Sequence, residues 1–380
     1  MKTFSISVPD AVLEDLRSRL RNTRFAESVA RGHWTGGVDP GWLREIVAYW
    51  AEGFDWRKAE AHLNSFPQYL AEVGGGNVHF VHVKGVRTPG GPEPIPLVLT
   101  HGWPSSHFEY LRLVGPLTDP GAHGADPLTT PVFDVVVPSL PGFGFSQSLE
   151  GLTTRETIAD RWHELMTRVL GYERFAAFGG DIGGGVTAWL GAKYPQSLIG
   201  VQTLFPQFPA TFDPAPNEEE QAFIDHLHNY DTKIDQGYSE IMWMRPDTIA
   251  AALIDSPSGL LAWIADKYRD WTDHGGELES IWDRDSLLTV VTLYWVTGTI
   301  GESFRQYHDY DLMNPRPVTT VPTAVALSNE PGTQGAPRSI AARSTTDLRR
   351  WSRPERGGHF FAFEQPELAA GEIRAFFGSL

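Results

Sequence analysis

The segment FAAFGGDIGGGV, residues 175–186, constrains the fold of this chain more than any other part of its sequence. An apolar strand pattern runs into Gly179, Asp181 and Gly183, and a helical pattern follows. This is the G-x-S-x-G layout of a nucleophile elbow, with aspartate in place of serine. A sharp strand-to-helix turn crowds the positions two before and two after its central residue, so only small residues fit there. The segment therefore predicts that Asp181 is a nucleophile at the end of a strand.

Segments of strand and helix character alternate around this turn. Short β-rich runs lie at 78–83, 96–100, 133–138, 175–178, 198–204 and 321–327. Between them, apolar residues recur at helical spacing, as in Trp162, Leu165, Met166 and Val169. Such alternation predicts an α/β fold with a mostly parallel sheet.

The alternation stops near residue 206, and about a hundred residues of aromatic-rich, helical pattern follow before strand character returns. A helical insertion between late strands predicts a lid over the strand ends, where open α/β sheets hold their sites. Three more helices are predicted before the first strand run, after Asp10, around 42–50 and from Trp56. The tryptophans of these helices are expected to pack in the core.

Composition excludes several classes of function. The chain has 380 residues and a net charge of −16, which would repel the phosphates of nucleic acid. It has no cysteine, which excludes thiol nucleophiles, disulfides and thiolate metal sites and fits a cytoplasmic location. The N-terminus does not resemble a signal peptide, and no run of about eighteen apolar residues predicts a membrane span.

An aspartate nucleophile favours a particular electrophile. A carboxylate is already ionised at pH 7 and needs no base to activate it. Attack on a saturated carbon gives a stable alkyl ester, whereas attack on an amide would give a high-energy anhydride. The ester must then be hydrolysed, which requires a base for water and an oxyanion hole. We expect the backbone N–H groups of Trp103, in the loop 101–104, and of Ile182 to form that hole.

The base and its partner are expected late in the chain. His359 lies beyond the last expected strand, and Glu330 follows the strand run 321–327. The order nucleophile, acid, histidine is that of α/β-hydrolase triads, in which the acid orients the imidazole. Glu302 and Asp309 are other acidic residues not far off in sequence, so the identity of the acid stays open here.

Six segments together resemble the microsomal-type epoxide hydrolases of the α/β-hydrolase fold. They are HGWPSSHFEYL, PSLPGFGFS, GGDIGGGV, LYWVTGTIGESFRQY, RGGHFFAFEQPE and DWRKAEAHLNSFPQY, and the resemblance runs from about residue 3 to 377. The resemblance implies two lid tyrosines, at Tyr238 and Tyr307, that donate hydrogen bonds to the epoxide oxygen. It implies no cofactor and no metal. Because no apolar span precedes the first domain, we expect a soluble member.

The resemblance also implies a domain division. It predicts an N-terminal domain at 1–85 that wraps the core and the lid. The α/β-hydrolase core is then expected at 86–205 and 313–380, and the helical lid at 206–312.

The sequence therefore predicts an epoxide hydrolase that forms a vicinal diol through an ester on Asp181. The aromatic lid favours a small apolar or aromatic epoxide, and homo-oligomerisation is left open. A haloalkane dehalogenase is the nearest alternative, although Ile182 stands where such enzymes commonly carry a halide-binding tryptophan. A non-catalytic binder of small ligands on the same fold is another. The run 183–188 also fits a loose dinucleotide fingerprint, but no acidic residue follows at about twenty positions to hold a ribose.

Overall fold

A single nine-stranded sheet organises the computed structural model, which describes residues 1–30, 33–209, 211–230, 237–310 and 316–380. The strands are β1 (Lys2–Phe4), β2 (Gln68–Val73), β3 (Gly76–Val83), β4 (Ile95–Thr100), β5 (Phe133–Pro138), β6 (Phe175–Gly179), β7 (Leu198–Thr203), β8 (Thr323–Ala326) and β9 (Leu348–Ser352). Their order is β1-β2-β3-β5-β4-β6-β7-β8-β9. The pairs from β1 to β5 are antiparallel, and every pair from β5 through β4 to β9 is parallel.

The helices fall into three groups along the chain. Before the parallel strands lie α1 (Asp10–Arg21), α2 (Pro40–Glu52) and α3 (Trp56–Leu63). Among and after those strands lie α4 (Leu111–Thr118), α5 (Arg155–Glu164), α6 (Asp181–Lys193), α14 (Arg338–Ala342), α15 (Phe361–Glu364) and α16 (Pro366–Phe377). Between β7 and β8 lie α7 (Glu218–Tyr230), α8 (Gly237–Met244), α9 (Pro246–Leu253), α10 (Pro257–Trp271), α11 (Arg284–Thr297), α12 (Ile300–Ser303) and α13 (Arg305–His308).

The predicted fold class is confirmed, because the sheet is mostly parallel and a block of helices separates β7 from β8. All six strand runs named from the sequence form strands, with ends that differ by at most two residues. The central parallel strands are rich in apolar residues because helices cover both faces of such a sheet, and every residue of β5 and β6 is buried. Strands β1, β2 and β9 were not predicted from the sequence.

The domain division stays a prediction. Within the predicted N-terminal domain, β1, β2 and β3 hydrogen-bond into the same sheet as the core strands. The predicted boundary between lid and core, at 312/313, lies outside the described residues. Among the described residues, no single helix has the length and apolar composition to cross a membrane. One sharply bent helix pair, Pro246–Leu253 with Pro257–Trp271, meets that test only when its two members are combined.

The N-terminal helices pack against the helical block. Trp50 is buried, and its indole N–H donates to the hydroxyl of Thr292 in α11 at 3.0 Å. The Tyr49 hydroxyl donates to Asp285, also in α11, at 2.7 Å. Trp50 thus has the core-packing role expected from the sequence, and α2 fixes one side of α11.

A buried ion pair fixes the start of the helical block to the core. Glu220 in α7 is 1 % exposed, and the guanidinium of Arg343 donates to its two oxygens at 2.9 and 2.6 Å. The hydrogen bond from Arg343 is the largest cause that lowers the pKa of Glu220 to about 2. The N–H of Asn217 also donates to this carboxylate. Glu220 is therefore ionised and paired in the folded protein.

We expect Glu220→Gln to lower the free energy of unfolding at pH 7, because it leaves the mostly buried Arg343 without its counterion. Since the folded pKa of Glu220 is lowered, its stabilisation is complete above the unfolded value of 4.5 and is lost as the pH falls towards 2. The difference in the free energy of unfolding between variant and wild type should therefore be smaller at pH 3 than at pH 6. Urea unfolding followed by tryptophan fluorescence measures both quantities. The exposed neighbour Glu219→Gln is the control, and equal stability of the Glu220 variant at pH 7 would refute the assignment.

Candidate active site

Asp181 occupies a strained turn between β6 and α6. Its backbone φ is 49°, a left-handed conformation that is rare for a residue with a side chain. A Cβ on Gly183 would lie 1.9 Å from the carbonyl oxygen of Thr100, and one on Gly179 would lie 2.4 Å from the carbonyl oxygen of Gly183. The two flanking glycines are therefore required by close backbone packing, as the sequence pattern predicts.

The loop after β4 holds one oxygen of the Asp181 carboxylate. The backbone N–H of Trp103 donates to Asp181 Oδ1 at 2.9 Å. A Cβ on Gly102 would lie 2.2 Å from the same oxygen, a requirement that the sequence analysis did not identify. Ile182 is the second residue of α6, and N–H groups in a first helical turn have no acceptor within their helix. The N–H of Trp103 thus contacts the Asp181 carboxylate, and the N–H of Ile182 belongs to the next residue of the chain; their role as an oxyanion hole stays a prediction.

His359 and Glu330 form a hydrogen-bonded pair. Glu330 follows β8, His359 follows β9, and His359 Nδ1 lies 2.7 Å from Glu330 Oε2. Their side chains are only 14 % and 18 % exposed. The Ser328 hydroxyl donates to the other oxygen of Glu330 at 2.8 Å. With Nδ1 directed at the carboxylate, Nε2 is the nitrogen left to accept a proton from water.

The other two acids considered from the sequence lie in different surroundings. Asp309 accepts from the backbone N–H of Thr153 at 2.8 Å and pairs with Arg305 at 3.2 Å. Glu302 packs against Gly142. A Cβ added to Gly142 would lie 3.1 Å from the Cβ of Glu302. Of the three acids, Glu330 is the one hydrogen-bonded to His359.

Charge sets the protonation of this pair. Burial alone would raise the pKa of Glu330, but the charge and hydrogen bond of His359 bring it below its ordinary value. Burial alone would likewise lower the pKa of His359. The charge and hydrogen bond of Glu330, with smaller contributions from Asp181 and Glu109, raise it to about 10. The carboxylates around His359 therefore favour its imidazolium form in the resting site.

Both predicted tyrosines contact the ring of Trp103. Tyr238, in α8, stacks on the indole with centroids 5.3 Å apart and planes 9° apart. Tyr307, in α13, meets it edge-on at 5.8 Å, and the two phenol rings lie 6.0 Å apart. Burial, then the charges of Tyr238 and Asp181, raise the pKa of Tyr307 well above 10. Its phenol therefore stays protonated and can donate a hydrogen bond.

Two buried glutamates near His359 were not identified from the sequence. Glu109 is 4 % exposed and Glu364 is 7 % exposed. Burial raises the pKa of each to about 7, and the charge of His359 acts on both in the opposite direction. Glu364 also accepts, at 2.8 to 2.9 Å, from the backbone N–H groups of Asp273, Gly358 and Phe360. The sequence feature that could have identified them is an acidic residue within a mostly apolar motif: Glu109 lies in HFEYL and Glu364 in HFFAFE.

The described ranges, with their gaps at 31–32, 210, 231–236 and 311–315, hold no group of three or more acidic, histidine or cysteine side chains that could bind a metal ion.

Family models divide the chain into two matching regions. Residues 1–110 match the epoxide hydrolase N terminus, and residues 95–232 match the alpha/beta hydrolase fold. The two regions overlap across β4 and the loop that carries Trp103.

Relatives cover nearly the whole chain. A protein of Stigmatella aurantiaca is 40 % identical over 99 % of this chain and 84 % of its own length. Epoxide hydrolase 1 of Sus scrofa is 31 % identical over 100 % of this chain and 89 % of its own length. The crystal structure of juvenile hormone epoxide hydrolase from Bombyx mori superimposes with a TM-score of 0.84, at 29 % identity, over 100 % of this chain and 93 % of that one. The resemblance of the sequence motifs is therefore confirmed, and the chain belongs to the microsomal-type epoxide hydrolase family of the α/β-hydrolase fold.

Proposed function

We propose that this protein hydrolyses a small-molecule epoxide to a vicinal diol through a covalent ester on Asp181. The observation that carries the proposal is the position of Trp103. Its backbone N–H holds Asp181 Oδ1, and its ring contacts both Tyr238 and Tyr307. A nucleophile and two phenolic donors therefore adjoin one residue, the arrangement that opening an epoxide requires.

The first step forms the ester. Oδ2 of Asp181 attacks a ring carbon, and the bond from that carbon to the epoxide oxygen breaks. Tyr238 and Tyr307 hold the departing oxygen, and one phenol transfers its proton to it. A phenol suits this role because it is neutral in the resting site yet acidic enough to meet a developing alkoxide.

The second step releases the diol. His359 Nε2 takes a proton from water while Glu330 stabilises the imidazolium, and the hydroxide attacks the ester carbonyl. The oxyanion forms at Oδ1, where the N–H groups of Trp103 and Ile182 stabilise it. Collapse expels the alkoxide. The proton that His359 carries in the resting site passes to the tyrosinate before His359 acts as the base. Of the two protons of the water, one then ends on the alkoxide and the other remains on His359, which restores the resting site.

Formation of the ester also activates the base. The charge of Asp181 is one of the causes that raise the pKa of His359, and esterification removes that charge. His359 then releases its proton more readily, when the next step requires a neutral imidazole. The same carboxylate thus acts as the nucleophile and controls the timing of the base.

The range of substrates follows from the surroundings of the two tyrosines. Trp103, Trp271 and Phe304 surround the phenols, which favours an apolar or aromatic epoxide. A net charge of −16 disfavours nucleic acid as a partner. We propose the cytoplasm as the place of action, with which the lack of cysteine in the chain is compatible.

One observation favours a haloalkane dehalogenase as the second candidate. The indole N–H of Trp103 is buried and has no acceptor among the described residues, so it is available to a departing halide. Ile182 offers no second side-chain donor beside the nucleophile. Two phenols that can protonate an alkoxide favour the epoxide, and turnover of 1-chlorobutane without turnover of styrene oxide would reverse this choice.

We expect His359→Gln to trap the ester. Glutamine cannot accept a proton from water, so the first step should proceed while steady-state diol formation falls by a factor of roughly 10² to 10⁴. After incubation with styrene oxide, intact mass and peptide mapping should show one substrate mass added to the peptide that contains Asp181. The double variant with Asp181→Asn is the control and should carry no label. Label on another residue, or none on either protein, would argue against the covalent route.

We expect the double variant Tyr238→Phe, Tyr307→Phe to lose ester formation, because no donor then meets the epoxide oxygen. Single-turnover formation of the Asp181 ester should slow by a factor of roughly 100 or more. Tyr69→Phe, which removes a hydroxyl from β2, is the matched control and should leave the rate unchanged. A double variant that alkylates Asp181 at the wild-type rate would remove the tyrosines from the mechanism.

We expect Asp181→Asn to lower the pKa of His359, because the amide, like the ester, has no charge. A titration of the histidine ring resonances by NMR measures this pKa, and the spectrum of His359→Gln identifies the signal among the 13 histidines. Glu150→Gln removes one exposed charge and is the control for net charge. An unchanged or higher pKa in the Asp181 variant would contradict the proposed control of the base by the nucleophile.

A further inference from the structure

A cavity lies where the chain passes from β7 into the helical block and from the block back to β8. Its volume is about 410 Å³. It is bounded by the loop before α5, by α6, by the segment after β7 and by the segment before β8. Its lining includes Arg155, Gly185, Trp189, Gln207, Tyr310 and Arg316.

The cavity lies along the helix that begins with the nucleophile. Asp181, Gly185 and Trp189 are spaced at i, i+4 and i+8 in α6, so they share one face of that helix. At 1.5 Å per residue, the cavity wall formed by Gly185 and Trp189 lies roughly 6 to 12 Å along the axis from Asp181. A molecule bound at Asp181 would therefore have to span about that distance along α6 to place a group in the cavity.

Arg155 is held in the cavity by two contacts. A Cβ on Gly185 would lie 2.2 Å from Arg155 Cδ, so the absence of a side chain there gives the arginine stem its place on α6. The guanidinium stacks on Tyr310, 3.7 Å from the ring centroid. The charge of Arg155 also reaches the phenol of Tyr307. Arg155 therefore lies between the cavity and the proposed catalytic centre.

The two arginines of the cavity are not neutralised by the described protein. No carboxylate in the described ranges pairs with Arg155 or with Arg316, although the chain carries a net charge of −16. Glu156 also lines the cavity, but Lys193 already donates to it at 2.9 Å. Two half-buried guanidinium groups, with aromatic rings from Trp189 and Tyr310 beside them, are a setting that suits a carboxylate carried on an apolar or aromatic body.

We propose that this cavity binds the carboxylate of an epoxide substrate, with Arg155 and Arg316 as its partners and Asp181 attacking the oxirane at the other end. The inference rests on the proposed function, and it names a substrate class, the epoxides that carry a carboxylate about one to two helical turns from the reacting carbon. Trp189 and Tyr310 contact the body of the substrate between the two ends.

The test compares two epoxides of similar shape, 4-carboxystyrene oxide and 4-methylstyrene oxide. Wild-type kcat/KM should be higher for the carboxylate. Arg155→Gln and Arg316→Gln should each lower kcat/KM for the carboxylate by about tenfold through a higher KM, since a hydrogen bond to a charged group contributes about 1.5 kcal/mol or more. For the methyl compound, which has no carboxylate, the loss in kcat/KM should be several-fold smaller than for the carboxylate. Arg24→Gln, an exposed charge change of the same kind, is the control.

Each outcome has a distinct meaning. If wild type turns over neither epoxide, the proposed function fails. If wild type turns over the methyl compound and the arginine variants lower kcat/KM for both compounds equally, Arg155 acts on Tyr307 and the carboxylate site is refuted. Titration calorimetry with benzoate tests the other possible ligand of the cavity, a free carboxylate anion. Arginine-dependent binding of benzoate, without any preference for the carboxylated epoxide, would assign the cavity to a free anion and would overturn the proposal.

Discussion

The close approach of the β6–α6 turn to the end of β4 is the constraint on which the site depends. Gly183 touches the carbonyl of Thr100, and the chain then turns at Gly102 to place the N–H of Trp103 on the carboxylate of Asp181. Neither contact leaves room for a side chain. The strained φ of Asp181 is held by these contacts, and the position of the Trp103 ring follows from them. The two phenols are in turn positioned by that ring.

A second constraint is the balance of charge around one histidine. Four carboxylates interact electrostatically with His359, and their surroundings shift their pKa values in different ways. They are Asp181, Glu330, Glu109 and Glu364. His359 lowers the pKa of Glu330, whereas burial raises the pKa of Glu109 and Glu364 to about 7. The site thereby avoids four full negative charges around one cation.

The sequence predicted the parts of this protein that local patterns determine. Buried strands are short runs rich in apolar residues, so five parallel strands and the antiparallel β3 were found with nearly correct ends, and the turn at Asp181 was fixed by its glycines. Strand β1 is three residues long and forms only by pairing with β2, which no local pattern reveals. Glu330 and His359 are 29 residues apart, and their order suggested a pair that the geometry brings to 2.7 Å. Glu109, Glu364 and the uncompensated arginines depend on burial and on distant neighbours, so they required the folded structure.

The hydrogen bond between Trp50 and Thr292 bears on how small molecules enter and leave. It is buried, it joins the first helices of the chain to the middle of the helical block, and Tyr49 adds a second attachment to the same helix. The Glu220–Arg343 pair anchors the start of the block. A helical block attached at two places cannot move away as a rigid body without breaking buried polar contacts. Substrate entry and product release therefore depend on small movements of side chains and connecting loops. The width of the passage that these movements open determines which epoxides enter quickly.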